Sequence, residues 1–203
     1  MPNDAKVHII DDDDAVRDSL VFLLGSAGID ARAHASAHSF LDILAGIEHG
    51  CVITDIRMPE ISGLDLLRRV KDKWPNLPVI VITGHADVPL AVEAMKLGAS
   101  DFLEKPFDDE NFLAAVRAAL AGERDHGSRG EQATEFRKRL ETLSGRECEV
   151  LDGLVAGHPN KVIAFDLGIS PRTVEVYRAN VMTKMQATTL SDLVRMAVLS
   201  NSM

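Results

Sequence analysis

Residues 7–14 have the sequence Val-His-Ile-Ile-Asp-Asp-Asp-Asp, an apolar run that passes directly into four acidic residues. Four further short apolar runs follow, separated by segments whose apolar residues recur at helical spacing. Strands that alternate with helices in this way indicate a parallel sheet covered by helices on both faces. We predict five strands at 6–10, 29–33, 51–54, 77–82 and 101–103, and helices that include 16–24, 64–74, 90–97 and 112–120.

The composition of the chain changes after residue 120. Residues 121–135 are polar, contain glycine and lack apolar periodicity. From residue 136 to residue 199 only helical patterns occur, with breaks at Gly157-His158-Pro159 and at Gly168-Ile169-Ser170-Pro171. We therefore predict an α/β domain at 1–122, a linker at 123–138 and an all-α, four-helix domain at 139–203.

The net charge of -9 argues against a protein that binds nucleic acid through bulk positive charge. The acidic excess lies in the first part of the chain, since residues 137–203 are slightly basic. Cys51 and Cys148 stand in apolar surroundings, which favours buried free thiols in a reducing cytoplasm. No apolar stretch approaches the roughly 20 residues of a membrane span, and the seven histidines lack the spacing of a zinc site. We expect a cytoplasmic protein.

Five polar residues stand at or just beyond the ends of predicted strands: Asp11, Asp12, Asp55, Thr83 and Lys105. The carboxyl ends of parallel strands line one crevice, so these side chains should lie together. Three carboxylates in one crevice repel each other unless a cation lies among them, and oxygen ligands at a phosphate site suit Mg²⁺. An aspartate can attack phosphorus, while a lysine and a hydroxyl can stabilise phosphate oxygens. Taken singly, each residue also fits an ordinary loop cap or surface turn.

Residues 6–122 resemble the receiver domain of two-component response regulators. The resemblance rests on Asp11-Asp12, on Asp55-Ile56-Arg57-Met58-Pro59, on Thr83 and on Lys105-Pro106. It implies a doubly wound, flavodoxin-like fold in which Asp55 is the phosphoacceptor for a sensor histidine kinase and Thr83 and Lys105 assist the transfer. It also implies Mg²⁺ bound by Asp11 or Asp12, Asp55 and the backbone carbonyl of Arg57, and a cis peptide bond before Pro106.

The same resemblance implies how phosphorylation is signalled. In such receivers the threonine hydroxyl turns toward the phosphate and an aromatic residue on the last strand moves inward behind it. Thr83 and Phe102 are therefore the expected switch residues, although Phe102 also fits a plain core position. We expect phosphorylated receivers to form a homodimer through a face that includes Val92 and Lys96.

In the C-terminal half, Ser170-Pro171 has the signature of a helix start. A short helix at 161–167 precedes it across a tight turn, which gives a helix-turn-helix pattern. Counting from Pro171, Val174, Tyr177, Val181 and Met185 form the stripe expected to face a core. An ordinary helical bundle with a charged face would show the same spacing.

Residues 139–201 resemble the LuxR-type DNA-binding domain. The resemblance rests on the stretch from Leu143 to Leu151, on Asn160-Lys161 and Ile163-Ala164, and on Ile169-Ser170 with Thr173-Val174. It implies that the second helix of the motif enters the major groove of promoter DNA, with side chains contacting base edges and phosphates. The candidate DNA contacts are Lys161, Arg172, Thr173, Glu175, Val176, Arg178, Ala179 and Lys184.

Together the two domains resemble response regulators of the FixJ/NarL type. The resemblance implies a transcriptional activator of nitrogen-fixation or low-oxygen genes, a FixL-like oxygen-sensing kinase as phosphoryl donor, and RNA polymerase as a further candidate partner. This interpretation makes the chain a regulator rather than an enzyme. The alternative is a Mg²⁺-dependent aspartyl-phosphate phosphatase with a protein-docking module, but Arg57 stands where such a phosphatase would carry a second acid.

Overall fold

A computed structural model describes residues 7–47, 49–84, 88–122 and 129–201 of the chain. The chain divides into two compact units. Residue 6 of the first predicted strand and residues 123–128 of the predicted linker lie outside the described residues. The elements are, in chain order, β1 Val7–Ile10, α1 Asp14–Ser26, β2 Ala31–His34, α2 Ala37–Leu44, β3 Cys51–Asp55, α3 Gly63–Lys73, β4 Val79–Thr83, α4 Val88–Lys96, β5 Asp101–Glu104, α5 Asp109–Gly122, α6 Arg129–Leu140, α7 Gly145–Ala156, α8 Asn160–Leu167, α9 Pro171–Met185 and α10 Leu190–Asn201.

The five strands form one parallel sheet in the order β2-β1-β3-β4-β5. The three central strands are buried along their whole length, which explains why β1, β3 and β4 are continuous apolar runs rather than alternating ones. The order reverses direction between β1 and β3, so a crevice opens there at the carboxyl ends of the strands. The predicted doubly wound sheet is confirmed.

One face of the sheet packs against α1 and α5. Ile9, Ile53 and Ile82 project from neighbouring strands into a core that also contains Leu24 of α1 and Phe112 of α5, and all five side chains are buried. Each fully buried side chain of this size contributes roughly 1.5–3 kcal/mol of transfer free energy. This packing fixes the sheet beneath the polar residues at its carboxyl edge.

The opposite face of the sheet holds a buried pair of histidines. His8 of β1 and His34 of β2 lie 3.1 Å apart between Nδ1 and Nε2, and both rings contact Phe40 of α2. Burial, followed by the nearby positive charge of Arg32, lowers the pKa of His8 from 6.5 to about 4. Burial also lowers the pKa of His34 to about 4, with smaller contributions from His8 and Arg32. Both rings are therefore neutral at pH 7.

The connection from β3 to α3 brings Gly63 against the backbone of Asp55. The Gly63 amide donates to the carbonyl of Ile56 at 2.9 Å. A Cβ atom at position 63 would lie 2.1 Å from the Asp55 carbonyl oxygen and 2.9 Å from its carbonyl carbon. Backbone atoms cannot move aside as a flexible side chain can, so only glycine allows this approach. Gly63 thereby sets the path of the chain just after Asp55.

The second core lies in the helical unit and contains side chains from α6, α7, α8, α9 and α10. Phe136 of α6, Leu154 of α7, Ile163 of α8 and Val181 of α9 are buried there, together with Leu193 of α10. The predicted linker is thus helical from Arg129 onward, because the apolar side of α6 packs on this core. No helix in the described part of the chain combines the length and apolar character that a membrane span requires.

The α8 and α9 helices form the predicted helix-turn-helix. Gly168 ends α8 in the left-handed conformation, with φ of 66°, which a residue with a Cβ adopts only at a cost. Ser170 caps α9 by accepting from the Thr173 amide, and Pro171 occupies the first helical turn, as the sequence predicts.

The histidine pair should make the first unit sensitive to acid. The unfolded chain binds protons below pH 6.5, whereas the folded pair resists protonation until about pH 4, so stability is complete above 6.5 and falls as the pH drops toward 4. We expect a loss of about 2 kcal/mol per histidine between about pH 7 and about pH 5. Urea unfolding followed by the fluorescence of Trp74, the single tryptophan, measures it.

His34→Leu should reduce this pH dependence by about half, even if it lowers stability at every pH. His38→Leu is the matched control, because the His38 side chain is 57% exposed. If the His34 variant kept the full pH dependence of the wild type, the acid sensitivity would have another origin.

The Gly63 contact predicts a large effect from the addition of a single methyl group. Gly63→Ala should lower the free energy of unfolding of the first unit by at least about 1–3 kcal/mol, because the β3–α3 connection must shift. Gly25→Ala is the matched control, since a Cβ at this position of α1 meets nothing within 4 Å. It should stabilise the helix by up to about 1 kcal/mol. Equal urea midpoints for Gly63→Ala and the wild type would refute the inference that only glycine fits at position 63.

Candidate functional sites

The sheet topology brings four of the predicted polar residues to one edge. Asp11 follows β1, Asp55 ends β3, Thr83 ends β4 and Lys105 follows β5. The Lys105 ammonium lies 2.8 Å from Asp11 Oδ2 and 2.8 Å from Asp55 Oδ1. It therefore bridges two carboxylates that are separated by 44 residues in the chain. Three of the five predicted residues, Asp11, Asp55 and Lys105, are thus in direct contact.

The lysine and the two carboxylates form a partly buried ion triad. The side chains of Asp11 and Asp55 are 3% and 11% exposed, and that of Lys105 is 22% exposed. Burial acts to lower the pKa of Lys105, but its hydrogen bonds and charge interactions with Asp11 and Asp55 outweigh burial and raise it. Lys105 is therefore a permanent positive charge at this edge of the sheet.

Backbone amides hold the other oxygens of both carboxylates. Asp55 Oδ2 accepts from the Arg57 amide at 2.6 Å, and Asp11 Oδ1 accepts from the Asp13 amide at 2.9 Å. Arg17 fixes the backbone here by donating to the Asp11 carbonyl at 2.6 Å. Each carboxylate is thus oriented through one oxygen and presents the other to Lys105. A carboxylate oxygen can accept more than one hydrogen bond or metal contact, so both retain ligand capacity.

Asp12 is exposed, in contrast to its neighbour Asp11. Among the described residues no group of three or more His, Cys, Asp or Glu side chains is placed to hold a metal ion. The predicted set of three carboxylates is therefore not assembled in this structure. Asp11 and Asp55 alone still fit a hard cation, because Mg²⁺ keeps several waters and commonly takes one or two protein carboxylates.

The two expected switch residues occupy adjacent strands. Thr83 and Phe102 are buried, and β4 pairs with β5 so that Val81 lies opposite Phe102. The Thr83 carbonyl accepts from the Lys105 amide at 2.8 Å, which joins the end of β4 to the residue that bridges the carboxylates. The peptide bond between Lys105 and Pro106 is cis, as the resemblance implies. On α4, Val92 is buried and Lys96 is exposed.

The outward face of α9 carries the residues that the sequence analysis assigned to DNA. Arg172, Glu175, Val176 and Ala179 lie side by side and are exposed. Val176 is 57% exposed, so this side of α9 presents an apolar side chain to solvent beside the polar ones. On the other side of α9, Val174, Val181 and Met185 are buried, and Tyr177 packs at the edge of the same core. The predicted division of α9 into two faces is confirmed.

The remaining DNA candidates differ in their surroundings. Lys161 is exposed on α8, and Arg178 is partly buried on α9. Thr173 shares a hydrogen bond of 2.8 Å with the Ser170 hydroxyl at the start of α9. The Lys184 ammonium instead lies 2.6 Å from Glu147 Oε2.

Glu147 is a buried acid that the sequence analysis missed. It forms a capping box with Ser144 at the start of α7, and the bond from Lys184, followed by the Ser144 amide, lowers the pKa of Glu147 to about 2. The spacing of Ser144 and Glu147 is the sequence signal for such a cap. The partnership with Lys184, 37 residues away, has no local sequence signal.

Comparisons with known proteins agree with this architecture. Residues 7–117 match the response regulator receiver domain, and residues 141–197 match the luxR family of bacterial regulatory proteins. The transcriptional regulatory protein FixJ of Azorhizobium caulinodans is 58% identical over 98% of this chain and 95% of its own length. FixJ of Rhizobium meliloti is 52% identical over 96% of each chain.

Solved structures give the same assignment. Full-length FixJ from B. japonicum superposes with a TM-score of 0.58 at 50% identity, over 98% of both chains. These relatives are transcriptional regulators, and they do not favour the alternative of a phosphatase with a docking module. The chain therefore belongs to the response regulators that join a receiver domain to a LuxR-type DNA-binding domain, and it is a phosphorylation-activated transcriptional regulator.

Proposed function

We propose that Asp55 accepts a phosphoryl group from the phosphohistidine of a sensor histidine kinase, and that Lys105 holds the product. The contact of Lys105 with Asp55 and Asp11 carries this proposal. During transfer a bond forms between an Asp55 carboxylate oxygen and phosphorus, while the bond from phosphorus to the histidine nitrogen breaks. A preorganised ammonium can stabilise the charge on the phosphoryl oxygens without moving far.

Receiver domains generally bind Mg²⁺ at the phosphorylation site. In this chain we assign the ion to the carboxylates of Asp11 and Asp55 and the backbone carbonyl of Arg57, with Asp12 as the alternative to Asp11. The all-oxygen donor set and the partial burial of Asp11 and Asp55 support the assignment. When bound, Mg²⁺ supplies positive charge for the phosphoryl oxygens.

We infer that Thr83 and Phe102 transmit the added charge. The Thr83 hydroxyl would donate to a phosphoryl oxygen, and Phe102 on the adjacent strand would occupy the space that the threonine leaves. A local charge that biases two packings of one element is the usual form of such a switch. The output is a homodimer whose face includes Lys96 and Val92 of α4. Because Val92 is buried in this structure, its part in the dimer requires a rearrangement on phosphorylation.

In the C-terminal unit, α9 enters the major groove of promoter DNA. Arg172 and Glu175 contact base edges, Val176 and Ala179 pack against the bases, and Thr173 lies at the start of the same helix. Lys161 and Arg178 contact phosphates. The shared exposure of Arg172, Glu175, Val176 and Ala179 on one side of α9 supports this arrangement.

The identity with proteins named FixJ extends the proposal to the biological setting. The phosphoryl donor is a FixL-like kinase, and the targets are promoters of nitrogen-fixation or low-oxygen genes. RNA polymerase is the partner through which an activator bound at such a promoter would act.

The role of Asp55 predicts a sharp difference between two aspartate variants. With acetyl phosphate and Mg²⁺, the wild-type protein should gain one phosphoryl group by intact mass and sediment as a dimer. Asp55→Asn should gain neither, because its amide cannot accept the group. Asp42→Asn, which changes an exposed aspartate on α2, should behave as the wild type. Equal dimerisation of the Asp55 variant and the wild type would refute the proposal.

The role of α9 predicts a loss of sequence discrimination when Arg172 is removed. The probes are a duplex enriched from a randomised pool by the phosphorylated wild-type protein and a scrambled duplex of the same composition. By fluorescence anisotropy, Arg172→Ala should weaken binding to the enriched duplex by about 1–3 kcal/mol and binding to the scrambled duplex much less. Arg137→Ala, an exposed arginine on α6, is the control. Undiminished discrimination in the Arg172 variant would contradict the assignment.

A further inference from the structure

The C-terminal end of α9 is attached to the chain segment that precedes and opens α7. Arg139, in the last turn of α6, donates from Nη1 to the carbonyl of Met185, the last residue of α9, at 2.9 Å. The carbonyls of a final helical turn lack intrahelical partners and carry partial negative charge. The guanidinium satisfies one of them and ties α6 to α9.

One residue earlier on α9, Lys184 makes a second attachment. Its ammonium lies 2.6 Å from Glu147 Oε2 and 3.3 Å from the Thr142 carbonyl oxygen. The Glu147 side chain is 5% exposed, and the same Oε2 also accepts from the Ser144 amide at 2.7 Å. We call Arg139, Thr142, Glu147 and Lys184 the C-terminal anchor of α9.

The negative charge of Glu147 opposes a movement of Lys184 toward a DNA phosphate. Glu147 is an ionised, buried carboxylate, and a buried charge that loses its partner is strongly destabilising. If the Lys184 ammonium moved to a DNA phosphate, Glu147 would lose its positively charged partner. Lys161, by contrast, is exposed on α8 and can meet a phosphate without taking a partner from a buried carboxylate.

The anchor lies far along α9 from the DNA-facing residues, so a small rotation there would displace those residues strongly. Arg172 lies 13 residues before Met185, so its backbone is about 20 Å along the helix axis from the anchor. A pivot of about 5° at the anchor would displace Arg172 by nearly 2 Å at this helix rise. Bidentate contacts to base edges do not survive such a displacement, whereas contacts to phosphates tolerate it better.

We propose that Glu147, Lys184 and Arg139 are positioning residues that fix the angle of α9, and that Lys184 sets sequence discrimination through Glu147 instead of binding a phosphate. This inference rests on the proposed DNA-facing side of α9. It assigns a function to the partly exposed Lys184 and its buried partner Glu147, which the phosphorylation mechanism does not use.

A matched pair of lysine variants tests the proposal in the full-length protein treated with acetyl phosphate. The quantity measured by anisotropy is the ratio of the Kd for the scrambled duplex to the Kd for the enriched duplex. Lys184→Met should lower this ratio about tenfold and leave the dependence of the scrambled-duplex Kd on salt unchanged. Lys161→Met should weaken both duplexes alike and reduce the salt slope by about 0.9, as expected for one lost phosphate contact.

A double-mutant cycle adds the contribution of Glu147. Glu147→Gln should lower the ratio as Lys184→Met does, and the double variant should be little worse than either single variant, because both remove one interaction. Helical circular dichroism and the thermal midpoint are recorded for each protein. If Glu147→Gln fails to fold, the comparison of Lys184→Met with Lys161→Met decides alone.

The outcomes separate this inference from the function on which it rests. If Lys184→Met weakened both duplexes alike with a reduced salt slope, Lys184 would be a phosphate contact and the proposal would be wrong. An unchanged or increased ratio in folded Glu147→Gln would also overturn it. An unchanged ratio in Arg172→Ala would instead remove the DNA-facing assignment of α9, and the inference would fall with it.

Discussion

The receiver site depends on the electrostatic balance between one ammonium and two carboxylates. Asp11 and Asp55 would repel each other at the end of a buried sheet if nothing lay between them. Lys105 lies within 2.8 Å of both, so the fold can place two acids where their charge is most useful for binding a cation or a phosphoryl group. Because β1, β3 and β5 belong to one parallel sheet, their carboxyl ends lie at the same edge, and the topology brings the three charges together.

The local features of this structure could be predicted from the sequence because each depends on near neighbours in the chain. Apolar runs predict the five strands, and position at a strand end identifies Asp11, Asp55, Thr83 and Lys105 as candidate site residues. Ser170-Pro171 gave the start of α9, and its helical periodicity gave the buried and exposed sides. The resemblance to known families added what spacing cannot supply, including the cis bond before Pro106.

The features that were missed depend on contacts between distant residues. The pairing of His8 with His34 and that of Glu147 with Lys184 join residues 26 and 37 positions apart. Gly63 looks like any loop glycine until the Asp55 carbonyl is found against it. Asp11 and Asp12 are chemically identical, but only Asp11 points to Lys105, since successive residues at a strand end face different ways. The helix at Ala37–Leu44 is not among the predicted helices, and the polar sequence of the linker lacks the apolar periodicity that would predict its helical part.

The two lysine-carboxylate sites differ in what their carboxylates can still do. At the edge of the sheet, the oxygens of Asp11 and Asp55 each have one described partner and keep a lone pair for a cation or a phosphorus atom. In the helical unit, a single oxygen of Glu147 accepts both the Ser144 amide and the Lys184 ammonium, within a cap that closes the start of α7. The first arrangement can exchange partners when charge is added, and it suits a switch. The second loses a bond to a buried carboxylate if either partner leaves, and it suits a fixed support for α9.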